Sequence, residues 1–464
     1  MKNCTLLVKN AFIITMDASR RMIKNGVIAV EGEKIAAVGG EELLREYTAK
    51  ETLDAEGKIA FPGLVSTHTH SFQMLTRGLG RDKTLFDWLD SSVRRALRKY
   101  NDEYCYYAAL ASGMECMRAG TTTSLDFMYC QTQQGGFSDA VIQGFRDAGI
   151  RTVYGRARTD SSGFPEEFRC NYVDTEQDFF DDIRRLAKKY EGDDMTRIAL
   201  APGIIWDVTE DGFKEIRRLA NEYKLPITMH TLETEDDNNF TLGKYGMKLM
   251  PYLDKIGLLG PDFIAVHCVD MDDTDFELFR HHGIKVCHCP MANMILASGI
   301  APIKRMVEEG ICVSIGVDGA SSNDTQNTLD GVRMASLLQK AVSRDPEAVP
   351  AAKALEMGTL GGAEALGMQD MIGSVEVGKK ADFVLFDAAR LNTAPTHDPV
   401  CAIVYNGNPG NIDTVVVNGK VQIKNGEFCN LDEKTIVAKV QELGRKLAEE
   451  AGLSAQQWGQ SIEF

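Results

Sequence analysis

Between Pro62 and about Met371 the chain alternates short apolar, β-prone runs with amphipathic helical patterns, and it does so eight times. The runs are GLVSTH at 63–68, TTSLDFM at 122–128, TVYGRAR at 152–158, RIALAPG at 197–203, PITMHTL at 226–232, FIAVHCV at 263–269, KVCHCP at 285–290 and CVSIGVD at 312–318. Segments such as DDIRRLAKKY, GFKEIRRLANEY and TDFELFRHHG separate them, with apolar residues at helical spacing. Strands that are apolar on both faces need cover on both faces, and parallel strands need crossover helices. Eight such units of this total length predict a (β/α)8 barrel of the TIM type. A doubly wound sheet is the alternative, but no glycine-rich dinucleotide fingerprint follows the first strand.

The two ends of the chain read differently. Residues 1–60 are short strands with turn signals, VIAVEGEKIAAVG among them, and the stretch 372–427 returns to strands with Asn418-Gly419 as a hairpin turn. We therefore expect a small β-sandwich domain built from 1–60 and 372–427, enclosing a barrel at 61–371. Residues 428–464 are expected to form a C-terminal helix and tail, the helix stopping at Gly452.

A formal net charge of -16 gives a field that repels phosphate backbones, so no nucleic-acid partner is expected. The first residues have no uninterrupted apolar core, and no segment approaches the length of a membrane span. A cytoplasmic protein without membrane contact is the expectation. The eleven cysteines include Cys287 and Cys289 around His288, but a closed zinc site needs paired motifs and a disulfide framework belongs to small secreted chains. Most of them read as small core hydrophobes.

In the barrel register, His68 and His70 end the first strand, His230 the fifth, His267 the sixth and Asp318 the eighth. All then reach the C-terminal mouth, where barrel enzymes place their sites. The chain has only eight histidines, so four of them at strand ends is a clustering that separate structural roles do not explain. Side chains at i and i+2 on a strand share a side, which lets His68 and His70 flank one ion. Three imidazoles and a carboxylate with one open position make a catalytic type of metal site, suited first to zinc and alternatively to ferrous iron. Glu233, three residues beyond His230, can reach the same mouth as a proton shuttle. The fourth strand, RIALAPGII, has no lysine to be carboxylated between two metals, which favours a single divalent ion and leaves His267 free for acid–base work.

These pieces resemble the amidohydrolase superfamily and, within it, the aminohydrolase and chlorohydrolase branch that includes triazine hydrolases, 8-oxoguanine deaminases and methylthioadenosine/S-adenosylhomocysteine deaminases. The matching motifs are PGLVSTHTH with LTRG and LFDWL, MHTLETE, AVHCV, VCHCPMANMILASGIAPI, IGVDGASSND and IGSVEVGKKADFVLFD. The resemblance implies that His68, His70, His230 and Asp318 hold the metal, that Glu233, His267 and Asp318 move protons, and that the chain forms a homo-oligomer. It implies a hydrolytic deaminase of an aminated N-heterocycle such as a purine, pterin or triazine, acting through a metal-activated water. Release of chloride or an alkylamine from a triazine-like ring is the alternative, ahead of a cyclic amidase or a non-catalytic metal binder.

For the small-molecule substrate, Gln73 can offer a donor and an acceptor, and Trp88 a flat face. Arg158, Trp206 and Asn323 are further candidates near the mouth, although Asn323, like Asp324, is expected first to order the loop. Gly319 stands where the triazine enzymes carry a polar side chain, so triazine specificity is not carried over.

Overall fold

All eight expected strands close into one parallel barrel in the computed structural model, which describes residues 1–164, 166–457 and 460–462. They are β1 (Leu64–His70), β2 (Thr121–Met128), β3 (Arg151–Ala157), β4 (Thr196–Ala201), β5 (Ile227–Thr231), β6 (Phe263–His267), β7 (Lys285–His288) and β8 (Val313–Ile315). Each pairs in parallel with the next, and Ile315 of β8 pairs with Ser66 of β1 to shut the ring. Beyond β8 the pair Asp318–Gly319 re-joins the sheet opposite Thr69 and His70.

The pattern of the strands explains the closure. Val65, Leu125, Val153, Ala199, Ile264 and Cys287 point inward and fill the barrel, while Ala363, Leu366, Met368 and Ile372 pack against them. Alternate residues point outward and meet the apolar stripes of the helices, such as Ile183 and Leu186 or Phe213 and Ile216. Helix ends follow local chemistry. Thr175 with Asp178 and Asp272 with Asp275 form capping boxes, which satisfy otherwise unpaired amides at the N-termini. Gly283 ends the helix Asp273–His282 in the left-handed region, at a φ of 66° that L side chains resist, and turns the chain into β7.

The two chain ends share a nine-stranded sheet. Phe383–Phe386 runs antiparallel to Ile59–Pro62, with Leu385 opposite Ala60, so the ends are stitched together beside the barrel. The expected turns close at Glu31↔Lys34 and Val417↔Lys420. Leu6, Val8, Ile28, Val30, Phe383 and Leu385 form this sheet's own core. A buried ion pair, Arg151 to Asp382 at 3.0 Å, links β3 to it. The helix Glu433–Ala451 stops at Gly452 and buries Leu443 and Leu447. Among the described residues no helix is long and apolar enough to cross a membrane.

Candidate active site

Five side chains meet at the C-terminal mouth. The β1–β2 register slips between Ser66 and Thr69, and His68 and His70 stand with ring centroids 4.6 Å apart. Two of the five residues hold backbone conformations that side chains normally avoid: His267 at φ 76° and Asp318 at φ 63°. Such conformations cost on the order of 1–3 kcal/mol and persist only where the surroundings impose them. For Asp318 the surroundings are the re-joined strand, with Thr69 Oγ1 donating to its carbonyl at 3.0 Å.

The polar atoms converge. Asp318 Oδ1 lies 3.4 Å from His68 Nε2 and 3.2 Å from His70 Nε2, and His70 Nε2 lies 3.3 Å from His230 Nε2. Tautomers follow from the outer partners. His70 Nδ1 donates to the Phe127 carbonyl at 2.7 Å, His230 Nδ1 to the Gly203 carbonyl at 3.3 Å, and His267 Nδ1 to Asn293 Oδ1 at 2.9 Å. In its neutral form, with Nδ1 as the donor, each ring turns an Nε2 lone pair into the mouth. Two lone pairs facing each other at 3.3 Å have no hydrogen between them, and both ring nitrogens of buried His68 have no hydrogen-bond partner. A cation that accepts those lone pairs, with one nitrogen of His68 among its donors, removes the clash, so the donor set fits a divalent metal held by imidazole and carboxylate. The nitrogens of His267 also come within 4.8 Å of those of His68 and His230.

Burial and charge tune the groups. Burial holds the His68 imidazole down to about 3 and that of His230 well below its ordinary value, so both stay unprotonated. Burial pushes the Asp318 carboxyl up, but His68 and His70 outweigh it and keep it well below the carboxylate range. Glu233 is raised by burial against the pull of His267, whose Nε2 stands 3.4 Å from Glu233 Oε2. Asp237, whose Oδ2 accepts the Glu233 amide at 3.0 Å, is pushed up by burial to about 7.

The cavity over this cluster is bounded by His70, His230, Glu233, His267 and Asp318 below, and by Leu85, Phe86, Leu89, Val93, Leu97, Phe164 and Trp206 above. Gln73 and Trp88 line it, and Trp206 stacks at a tilt against Phe86 with centroids 6.1 Å apart. Two expected substrate contacts are corrected. Arg158 turns away from the cavity, Nε donating to the Asp174 carbonyl at 2.9 Å and Nη2 standing 3.5 Å from Asp160. Asn323 braces its own loop, Nδ2 donating to the Val317 carbonyl at 2.6 Å, while Asp324 accepts from the Gly78 amide in the segment that follows β1. Both are turned inward because a buried polar group must find partners locally.

Sequence reading did not single out Asn293, Asp237 or Tyr129. Asn293 lies three residues after Pro290, where a helix begins at the end of β7, and that Pro-led start is the signal that points it at the mouth. Asp237 was hidden in an acidic run, and only its burial among exposed acids distinguishes it. Cys287 and Cys289 sit 3.9 Å apart as free thiols inside the barrel wall.

Comparison with known proteins follows the same lines. The model of the Amidohydrolase family matches residues 59–422. The chain is 33% identical to a 5-methylthioadenosine/S-adenosylhomocysteine deaminase of Syntrophus aciditrophicus over 97% of its length and 99% of that protein's. It is 35% identical to a 5'-deoxyadenosine deaminase of Methanobrevibacter smithii, over 97% of this chain and 99% of that protein. Among solved structures, an adenosine deaminase from Xanthomonas campestris with bound zinc superposes with a TM-score of 0.90 at 28% identity, covering 97% of this chain and 99% of that one. An atrazine chlorohydrolase from Arthrobacter aurescens complexed with zinc reaches 0.87 at 27% identity, covering 95% and 100%. With the family model spanning the whole barrel and these relatives aligned along nearly the entire chain, the protein belongs to the amidohydrolase family and is a hydrolase of carbon–nitrogen bonds.

Proposed function

We propose that this site removes the 6-amino group of an adenine ring carried on a nucleoside, releasing ammonia. Family and relatives make the chain a metal-dependent hydrolytic deaminase of an N-heterocycle. The nucleoside reading is supported by the names of the relatives that align end to end, and by a cavity whose flat apolar walls, Trp206 and Phe86, suit an aromatic ring. The observation that carries the chemistry is the pair Glu233 and His267, placed beside a converging set of imidazole lone pairs.

In this reading His68, His70, His230 and Asp318 hold one divalent metal, zinc first and ferrous iron second. When bound, that ion supplies a nucleophile at neutral pH by lowering the pKa of water from about 15.7 towards about 7. The protein's own groups do the rest. Glu233, whose pKa burial raises, gives its proton to the ring nitrogen next to the attacked carbon, so that negative charge does not build up there. Asp318, with Oδ2 held by Ser322 Oγ at 2.9 Å, takes the proton released by the nucleophile and returns it to the departing amine. His267 is fixed by Asn293 and presents Nε2 to the Glu233 carboxyl, which holds the orientation from which the proton is given.

The test is a product assay on 5'-methylthioadenosine, 5'-deoxyadenosine and adenosine, beside a chlorinated triazine. Ammonia and the inosine-type product are expected from the nucleosides, with no chloride from the triazine. Chloride release without nucleoside turnover overturns the reading.

A further inference from the structure

The upper wall of the cavity carries one charge, and that charge is already answered. Segment 85–97 contributes Leu89, Val93 and Leu97, and Phe164 faces them from the loop after β3. Among the described residues that line the cavity, Arg94 is the one Lys or Arg. Its Nη1 lies 2.5 Å from Asp90 Oδ1, and its guanidinium carbon stands 4.4 Å from the centre of the Phe164 ring. The other arginine near the mouth, Arg158, is drawn away to the Asp174 carbonyl and Asp160.

Asp90 sits in Leu89–Val93, a π-helical turn, and Arg94 directly follows it. Such turns gather at functional sites. The Asp90 side chain is 41% exposed and that of Arg94 15%, and a pair so open to water adds little to stability. Its effect falls on what enters the cavity. An anion brought against this wall sheds water, and a cation whose charge is already neutralised repays little of that loss. The carboxylate of Asp90 repels it as well.

We infer that Asp90 is a positioning residue for specificity: by holding and neutralising Arg94 it restricts the site to nucleosides whose 5' substituent is uncharged, and turns away those with a carboxylate or phosphate there. The inference rests on the adenine nucleoside reading. With the reacting C6 over the floor of imidazoles and carboxylate, N9 lies at the far side of the bicycle. The sugar and its 5' carbon then rise towards the upper wall. A small apolar group at that carbon meets Leu89, Val93 and Phe164 and leaves water at no electrostatic cost.

The experiment measures ammonia release from three adenosines that differ only in the 5' thioether: methylthio, carbamoylmethylthio and carboxymethylthio. The last two match in size, so the ratio of their kcat/KM values isolates charge. The native enzyme is expected to prefer the carbamoyl compound over the carboxylate by about tenfold or more. Asp90→Asn keeps the shape and frees the guanidinium, so the preference is expected to shrink threefold or more, through a lower KM for the carboxylate. Adding Arg94→Met to that variant removes the freed cation and should abolish the gain, which a merely structural role for Asp90 does not predict. Asp90→Ser gives the same test where Asp90→Asn fails to fold. A smaller native preference, or a smaller change on removing the Asp90 charge, overturns the inference while leaving the nucleoside reading intact. If none of the three nucleosides yields ammonia while another ring does, the nucleoside reading fails and the inference falls with it.

Discussion

Glu233 Oε2 stands 3.4 Å from His267 Nε2, while the other Glu233 oxygen accepts a hydrogen bond from Ser298 Oγ at 3.1 Å. The carboxyl is thus set between an imidazole nitrogen and a hydroxyl donor, while burial favours its proton. That balance sets when Glu233 can act as an acid.

Replacing Glu233 by Gln removes the proton but keeps the shape. Ammonia release is expected to fall by about 10²–10⁴-fold, with the metal content of the purified protein unchanged. Loss of metal together with activity would make Glu233 a ligand instead.

Removing Ser298 Oγ changes the balance without touching the carboxyl. Glu233 works protonated, so kcat/KM declines as pH rises through its pKa. The Ser298 hydrogen bond lowers that pKa, so Ser298→Ala is expected to move the alkaline limb to higher pH. A limb that stays in place, measured over a full pH series, shows that another group sets it.

Asn293 holds the His267 ring by accepting from Nδ1 at 2.9 Å. In Asn293→Ala the ring loses its fixed tautomer, and a loss of about 10–100-fold in kcat is expected, with KM little altered. Asn293→Asp keeps an acceptor and should recover part of the rate.

Asp237 makes a stability prediction with a definite sign. Its ordinary pKa of 3.8 is raised to about 7 by burial. The unfolded chain therefore gives up this proton more readily, and the folded state loses stability as pH climbs between those values. Asparagine carries no such penalty and can still accept the Glu233 amide. Asp237→Asn should raise the unfolding free energy by about 1–3 kcal/mol at pH 8, with the gain gone at pH 4, as read by denaturant titration at both pH values.

Much of this was legible from the sequence because strand ends in a barrel have one address. Once GLVSTH and PITMHTL are strands of period two, His70 and His230 can only arrive at the mouth, and the structure puts their Nε2 atoms 3.3 Å apart. What periodicity does not give is the direction of a side chain beyond the strand. Arg158 follows β3 and looks available, yet it folds back on the Asp174 carbonyl, a partner sixteen residues on in an irregular loop. Asn323 is likewise spent on its own turn. Conversely, the value of Gly319 was visible as a departure from the triazine type, but its reason, the carboxamide of Gln73 pressed against it, is a contact between distant segments that no local pattern carries.

The short strand Asp318–Gly319 has a consequence for biosynthesis. It lies against Thr69 and His70, and Thr69 is 249 residues away from Asp318 in sequence. A ribosome that has released His68 and His70 has made two binders but no site, and the loop-closure entropy of the whole intervening chain stands between them and their carboxylate. Metal capture at full strength is thereby deferred until the last barrel strand has docked on the first. The ion then acts as a clasp that rewards a finished ring and gives little to a truncated one.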